Sequence, residues 1–239
     1  MTGERPVNRL LQVLKPEAYE RLAPKLKPVS LHQKQVLYRP NEAIGEVYFP
    51  ETAVISQLTV MSNGDTLETA TVGLEGASWI SAHVGVASMP CETLVVIAGT
   101  AQTLSIEDLS REMETNEHFT DVLTKYSHAL LIHSMRMTGC TGLHTLAQRC
   151  ARWILTTLDR VPEDRFSITH EFLAMLLGAS RPAVSVVIED FQRDGMLRTQ
   201  RGLILLGDRE RLLGMTCDCY EVIKRSYEQV GRSGPSKAS

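Results

Sequence analysis

Arg181, Ser185, Val186, Glu189 and Arg193 share one side of a predicted helix, and Arg201 stands at the tip of a predicted turn. These residue types suit contact with double-stranded DNA. A guanidinium pairs bidentately with a guanine edge or binds phosphate, hydroxyls and carboxylates meet base edges, and an apolar methyl touches thymine. Arg181 is expected at a base edge or phosphate near the mouth of the major groove, with Ser185 and Val186 facing the bases. Arg193 and Arg201 are expected on phosphates, which fix register without reading sequence.

The elements that must hold these residues follow from local patterns. Thr169 is a good N-cap, and Phe172, Leu173, Leu176 and Leu177 repeat at helical spacing until Gly178 stops the run. Ser180 caps a second helix, and Pro182 is tolerated in its first turn because amides there have no intrahelical partner. Val184, Val187, Ile188 and Phe191 form that helix's buried stripe. So short a glycine-containing turn makes the two helices cross steeply, as in a helix-turn-helix. Residues 196–199 and 203–206 read as strands around Gln200-Arg201-Gly202, a hairpin that adds a second backbone contact. Thr169 and Ser180, at the two helix starts, complete the candidate DNA-facing set.

The run from Ile168-Thr169 to Gly178, then Ser180-Arg181 with Val184, resembles the winged helix of Crp/Fnr transcription regulators. The helical segment 147–155 and the strand-rich N-terminal half are similar to the same family, so the resemblance spans about residues 8–212. It implies an α+β chain in which a sensory, cyclic-nucleotide-binding-like antiparallel β jelly roll occupies residues 1–113. A dimerisation helix and hinge (114–140), a winged helix-turn-helix (141–230) and a disordered tail (231–239) follow. It also implies a homodimer on palindromic DNA, with RNA polymerase as a further partner. Relatives often carry Arg-Glu, then Arg four residues after the Glu, on the recognition helix. Here Arg181, Pro182 and Val186 hold those places, so the usual base sequence does not transfer.

Composition agrees with a two-domain globular protein. The chain has 239 residues, 43% hydrophobic and 22% charged, with a net charge of −3. That net charge hides a segregation. No Lys or Arg occurs between Arg39 and Arg111, whereas residues 135–215 hold eleven arginines against nine acids. No apolar run of about 18 residues and no signal-type N-terminus appears, so no membrane partner and a cytoplasmic location are expected. No nucleophile–base order, metal-ligand spacing or phosphate loop marks an enzyme.

The N-terminal half reads as short helices at 8–14 and 17–22, then short strands at regular spacing. Its clearest turn is Ser62-Asn63-Gly64-Asp65, an Asn-Gly hairpin signal. From Asn116, the residues Phe119, Leu123, Tyr126, Leu130, His133 and Met137 recur in alternating steps of four and three, a coiled-coil seam. A helix packed on its own domain gives the same pattern; resemblance favours a parallel dimer there, with part of the apolar surface also resting on the jelly roll and with Gly139 and Gly142 as a hinge.

Family members that bind cyclic nucleotides hold the phosphate with a Phe-Gly-Glu loop and a later Arg-Ser/Thr-Ala. The corresponding residues here are Val72-Gly73-Leu74-Glu75-Gly76 and Met89-Pro90-Cys91. Gly73, Glu75, Gly76, Cys91 and Thr93 are the candidate effector pocket. With no cation in that window, a buried phosphate facing Glu75 and Glu92 is strongly disfavoured, so ordinary cAMP binding is not expected. The one rescue is an arginine reaching over from the partner's dimer helix, such as Arg136.

No cofactor is expected. Haem is the alternative, with His83, His118, His128, His133 and Cys91 as possible axial ligands, in a small-ligand sensor of the same fold acting through protein contacts. Five cysteines, an odd number, lack disulfide or zinc-ribbon spacing, and the N-terminal cysteine cluster of iron–sulfur relatives is missing. Cys217-x-Cys219 is a weak hint of metal or redox chemistry but is read as part of a C-terminal helix, and no metal site is expected.

Overall fold

The computed structural model describes residues 6–78, 86 and 88–230. His83 and the predicted tail 231–239 lie outside the described residues. Buried Asn8 ties the start of the chain to the roll. Its Oδ1 accepts the Leu10 and Leu11 amides at the head of α1 (Arg9–Gln12), and its Nδ2 donates to the Pro50 and Gly76 carbonyls, both at 2.8 Å. Helix α2 (Pro16–Leu22) and a 3₁₀ turn (Ala23–Lys25) lead into seven strands. These are β1 (Lys27–Leu31), β2 (Val36–Tyr38), β3 (Glu46–Pro50), β4 (Val54–Val60), β5 (Thr66–Val72), β6 (Glu92–Ile97) and β7 (Gly99–Ser105).

The strands pair antiparallel in two sheets, ordered β1-β7-β3 and β2-β6-β4-β5, so the expected two-sheet roll is present. Asn63-Gly64 turns β4 into β5 as anticipated, with Gly64 at φ 88°, a region open to glycine without strain. Both sheets bury apolar residues such as Phe49, Val54, Ile55, Val95 and Leu104.

Ser105 caps α3 (Ile106–Thr115), and Asn116 caps α4 (Glu117–Leu143). The expected interruption at Gly139 and Gly142 does not occur. Both glycines are helical and face open space, so they weaken the helix without breaking it. The chain turns only after Leu143, where Thr145 and Gln148 form a reciprocal capping box for α5 (Leu146–Leu158).

A short strand not foreseen, β8 (Arg165–Ser167), precedes α6 (His170–Leu177) and α7 (Arg181–Arg193). It completes a three-stranded sheet, β8-β10-β9, with the hairpin β9 (Leu197–Gln200) and β10 (Leu203–Leu206). Helices α8 (Arg209–Met215) and α9 (Cys219–Glu228) follow, and α9 packs back on α4. No single helix among the described residues is long and apolar enough to cross a membrane.

The two halves share a core. Val54, Leu58, Leu94 and Val96 of the roll bury against Trp153, Phe166 and Phe172 of the C-terminal half. The predicted seam on α4 is likewise taken up inside the chain: Phe119, Leu123, Tyr126, His133 and Met137 are all buried, while Leu130 is half-buried. Their alternating spacing marks a face that packs on the chain's own roll and on α9, so it is not open to a second subunit. The exposed apolar residues of α4 are instead Leu131, Met135 and Leu143.

Candidate nucleic-acid interface and its link to the roll

The helix-turn-helix forms as its caps dictate. Thr169 accepts the Phe172 amide at 3.1 Å and Ser180 accepts the Ala183 amide at 3.4 Å. Gly178 closes α6 in the left-handed conformation at φ 59°, and the chain bends by 109° between α6 and α7. Arg149 on α5 donates to the last carbonyl of α6, Leu177, at 2.7 Å, placing a cation at that helix's negative end. Val184, Ile188 and Phe191 face the core.

This packing leaves Arg181, Val186, Glu189 and Arg193 exposed along α7. Arg181 lines a groove with Thr169, Thr199 and Gly202, between the start of α6 and the hairpin. Ser185 is half-buried and bonded to His170 Nδ1 at 2.9 Å, so His170 fixes the hydroxyl that sequence pattern alone left free. Thr169 and Ser180 use their hydroxyls as helix caps. Arg193 pairs with Asp190 at 2.5 Å. At the hairpin tip, Arg201 (φ 50°) and Gly202 (φ 81°) make the turn, and exposed Arg198 adds a further cation that sequence pattern did not single out. Exposed arginines thus stand on α7 (Arg181, Arg193) and on the hairpin (Arg198, Arg201).

The candidate effector loop is filled from within. Arg160, two residues past α5, reaches into it and pairs with Glu75 Oε1 at 2.5 Å while donating to the Thr71 carbonyl at 3.1 Å. The two side chains are only 5% and 10% exposed. A Cβ on Gly73 would lie 2.5 Å from Arg160 Cδ, and one on Gly76 would strike the Tyr126 hydroxyl, so both glycines are needed for this approach. The absence of a cation within the loop's own stretch is real, but the pocket does have one, supplied from 85 residues onward. Within the chain, Arg136 pairs with Asp218 at 3.3 Å.

Cys91 and Thr93 do not join Glu75 in either cleft that Glu75 lines. One of these clefts, of about 230 Å³, lies between the loop, the end of α5 and α9, and includes Arg9, Asp159, Arg160, Tyr220 and Lys224. On neighbouring β5, Glu68 is fully buried, bonded by Ser56 at 2.5 Å and by Trp153 Nε1 at 3.1 Å. Burial raises its pKa above the ordinary carboxylate range, against these hydrogen bonds and the nearby Arg152 and Arg160 charges.

The haem candidates do not converge. His118 bonds the Val13 carbonyl at 3.0 Å, His128 is exposed, and His133 is buried, held neutral by desolvation and bonded to the Tyr227 hydroxyl at 3.0 Å. Burial pushes the Cys91 thiol up to about 11. The fold also assembles a grouping of metal-ligating side-chain types that sequence spacing did not bring together. Cys140, His144, Cys217 and Cys219 bring their ligand atoms within 4.8 Å of one another. Cys140 and His144 are one helical turn apart, a signal visible in sequence only if paired with Cys217-x-Cys219, 77 residues away.

Residues 148–215 match the family model of the Crp-like helix-turn-helix domain. No curated protein sequence matches the chain. Its fold is similar to that of FixK2 from Bradyrhizobium japonicum, with TM-score 0.69 and 17% identity over 80% of this chain and 98% of that one. It is also similar to the c-di-GMP-responsive global regulator CLP of Xanthomonas campestris (TM-score 0.61, 15% identity, 81% and 100% covered). A Crp/Fnr-family transcriptional regulator from Thermus thermophilus gives TM-score 0.57 at 21% identity, covering 79% and 97%.

Proposed function

We propose that this chain, which carries a Crp-like helix-turn-helix domain within a Crp/Fnr fold, is a sequence-specific transcription regulator acting as a homodimer on palindromic DNA in the cytoplasm. The observation that carries the reading is the outward face of α7. Arg181, Val186 and Glu189 project from a helix whose opposite face is locked into the core, beside the cationic hairpin of Arg198 and Arg201. Arg181 and Val186 meet base edges, while Arg193, Arg198 and Arg201 anchor phosphates.

The second copy docks on the exposed stripe of α4. Leu131, Met135 and Leu143, 57%, 66% and 85% exposed, lie with Gly139 at four-residue intervals on one face. Gly139 lets two helices approach closely at that level, and burial of such large apolar groups favours association. The Arg160–Glu75 pair joins the effector loop to the helix that carries the DNA-binding domain, so a ligand that displaces Arg160 from Glu75 would alter how the two halves dock. RNA polymerase is the further partner of this reading.

Selection of bound DNA from a random palindromic library, followed by gel shift and sedimentation, tests the proposal. The expected result is a two-fold symmetric site bound by two chains. Binding that is indifferent to sequence, or by a single chain with full affinity, would overturn it. The haem-sensing alternative rested on residues that do not converge where described (His118, His128, His133 and Cys91) and is not favoured.

A further inference from the structure

We propose that Cys140, His144, Cys217 and Cys219 form a mononuclear Cys3His zinc site that fastens the C-terminal arm to the end of α4. Cys140 and His144 occupy successive turns of one face at the end of α4, and Cys217 and Cys219 flank the start of α9. Three of the four are buried and His144 is half-buried. Cys140 Sγ lies 3.5 Å from Cys217 Sγ, and Cys219 Sγ lies 3.7 Å from His144 Nδ1. A tetrahedral ion with Zn–S near 2.3 Å and Zn–N near 2.0–2.1 Å has S···S and S···N edges of about 3.6–3.8 Å. Two of the six edges already have this length, and all four ligand atoms lie within 4.8 Å of one another, so small side-chain shifts close the tetrahedron.

The surroundings fit a bound cation complex. With Nδ1 turned inward, the other ring nitrogen, Nε2, points at Asp218 Oδ1 at 3.5 Å, and Asp218 is held in turn by Arg136. A carboxylate on the outer nitrogen is the usual way a ligating histidine is oriented and made more basic. Three thiolates, one neutral imidazole and a divalent ion carry a net charge of about −1. Arg152, only 1% exposed, has two guanidinium nitrogens without hydrogen-bond partners and lies within electrostatic reach of Cys140. Its charge balances the complex in a place where an unmatched cation is costly.

The choice of ion follows from the donors. Three sulfurs and one imidazole exclude calcium and magnesium, which take oxygen ligands. In a multi-iron cluster, ligands on different irons stand farther apart than the 4.8 Å that spans all four here, so a single ion is indicated. Four protein ligands leave no open position, which makes the site structural and not hydrolytic. The ion would hold α9 along α4 and so preserve the contact of Tyr227 with His133. This inference stands whether or not the DNA-binding reading is correct.

The test uses full-length reduced protein, purified with zinc and measured for metal content, then stripped with chelator and titrated with Co(II). The expected result is one zinc per chain, and for Co(II) intense visible d–d bands with sulfur-to-metal charge transfer, the signature of tetrahedral thiolate ligation. Cys217→Ser and His144→Ala should each weaken Co(II) binding at least ~100-fold, Asp218→Asn about 10- to 100-fold, and Cys91→Ser not at all. Stripped wild-type protein that remains folded by circular dichroism but shows no Co(II) bands would overturn the proposal, whatever the variants do. Isolation of the protein with Cys140 and Cys217 joined as a stable disulfide that excludes metal would also overturn it, as would unchanged binding in Cys217→Ser.

Discussion

Removing either partner of the Arg160–Glu75 pair should destabilise the whole molecule. Arg160 is 5% exposed and its Nη1 has no partner, so its charge rests on Glu75 and the Thr71 carbonyl alone. In Glu75→Ala the guanidinium stays buried with one carbonyl. In Arg160→Ala the carboxylate keeps only the Gly73 amide, at 3.2 Å. Breaking one side of a buried pair costs about 3–5 kcal/mol, whereas replacing both partners by apolar groups of similar volume is often near neutral. For a chain of this size, each kcal/mol moves Tm by about 2–4 °C, so each single variant should lose roughly 6–20 °C. The double variant Glu75→Leu/Arg160→Met should recover most of that loss. Urea unfolding followed by circular dichroism, at one fixed protein concentration because the proposed dimerisation would contribute to stability, gives the full cycle. Single variants that cost less than about 1 kcal/mol, or a double variant equal to the sum of the singles, would show that Arg160 does not bridge the two halves.

Arg181→Ala should weaken binding to the selected palindrome by about 1–3 kcal/mol and relax preference at one base position, whereas Arg201→Ala should weaken all sequences alike and shallow the salt dependence by about one unit; gel shifts over a salt series separate the two. Leu131→Glu with Met135→Glu should yield a folded monomer by sedimentation, while Leu123→Glu, buried in the chain's own core, should unfold the protein; a dimeric double variant would place the interface elsewhere. Glu68 takes up a proton more readily folded than unfolded, so its contribution to stability falls as pH rises from the unfolded carboxylate range through its raised folded value. Glu68→Gln should therefore gain stability relative to wild type as pH goes from about 4 to 7 in urea melts, and parallel curves would refute the assignment. Millimolar cAMP or cGMP should change neither Tm nor DNA affinity, because Arg160 already fills the loop beside Gly73; a ligand at a hundred times its Kd would add about 2.7 kcal/mol, which a thermal melt would register.

Features fixed by neighbouring residues were legible in the sequence. The caps at Thr169 and Ser180, the left-handed stop at Gly178 and the Asn63-Gly64 hairpin are settled within a few residues, and each forms as read. Strand β8 escaped notice because Arg165–Ser167 has too few residues for any period and gains its order from β10 across the sheet. The effector loop and the Cys140 cluster escaped for a different reason. Their chemistry is assembled from segments some eighty residues apart, so composition within a window describes the window and not the pocket.

The long helix shows why a periodic pattern names a buried face but not its partner. Phe119, Leu123, Tyr126, His133 and Met137 satisfy the spacing of a coiled-coil seam, yet the same steps of three and four are what any helix shows when it lies on its own domain. Distinguishing the two requires a count of surfaces, because a face already covered by the roll and by α9 has no area left to offer. Tyr126 and His133 carried a hint, since a hydroxyl and an imidazole at a dry seam each need a partner. Those partners are the Ala77 carbonyl and the Tyr227 hydroxyl of the same chain. What remains for a second copy is the stripe of Leu131, Met135, Gly139 and Leu143, which sequence pattern alone left as the outer side of the helix. The same count places the zinc-sized cluster at the edge of that stripe, where Met135, Gly139 and Leu143 line one cleft with Cys140, His144 and Cys219. A metal holding α9 in place would therefore also shape the surface proposed for the second copy. Stripping the ion should on this account weaken dimerisation, and sedimentation of the stripped, still folded protein at micromolar concentration would refute the coupling if the dimer persisted unchanged.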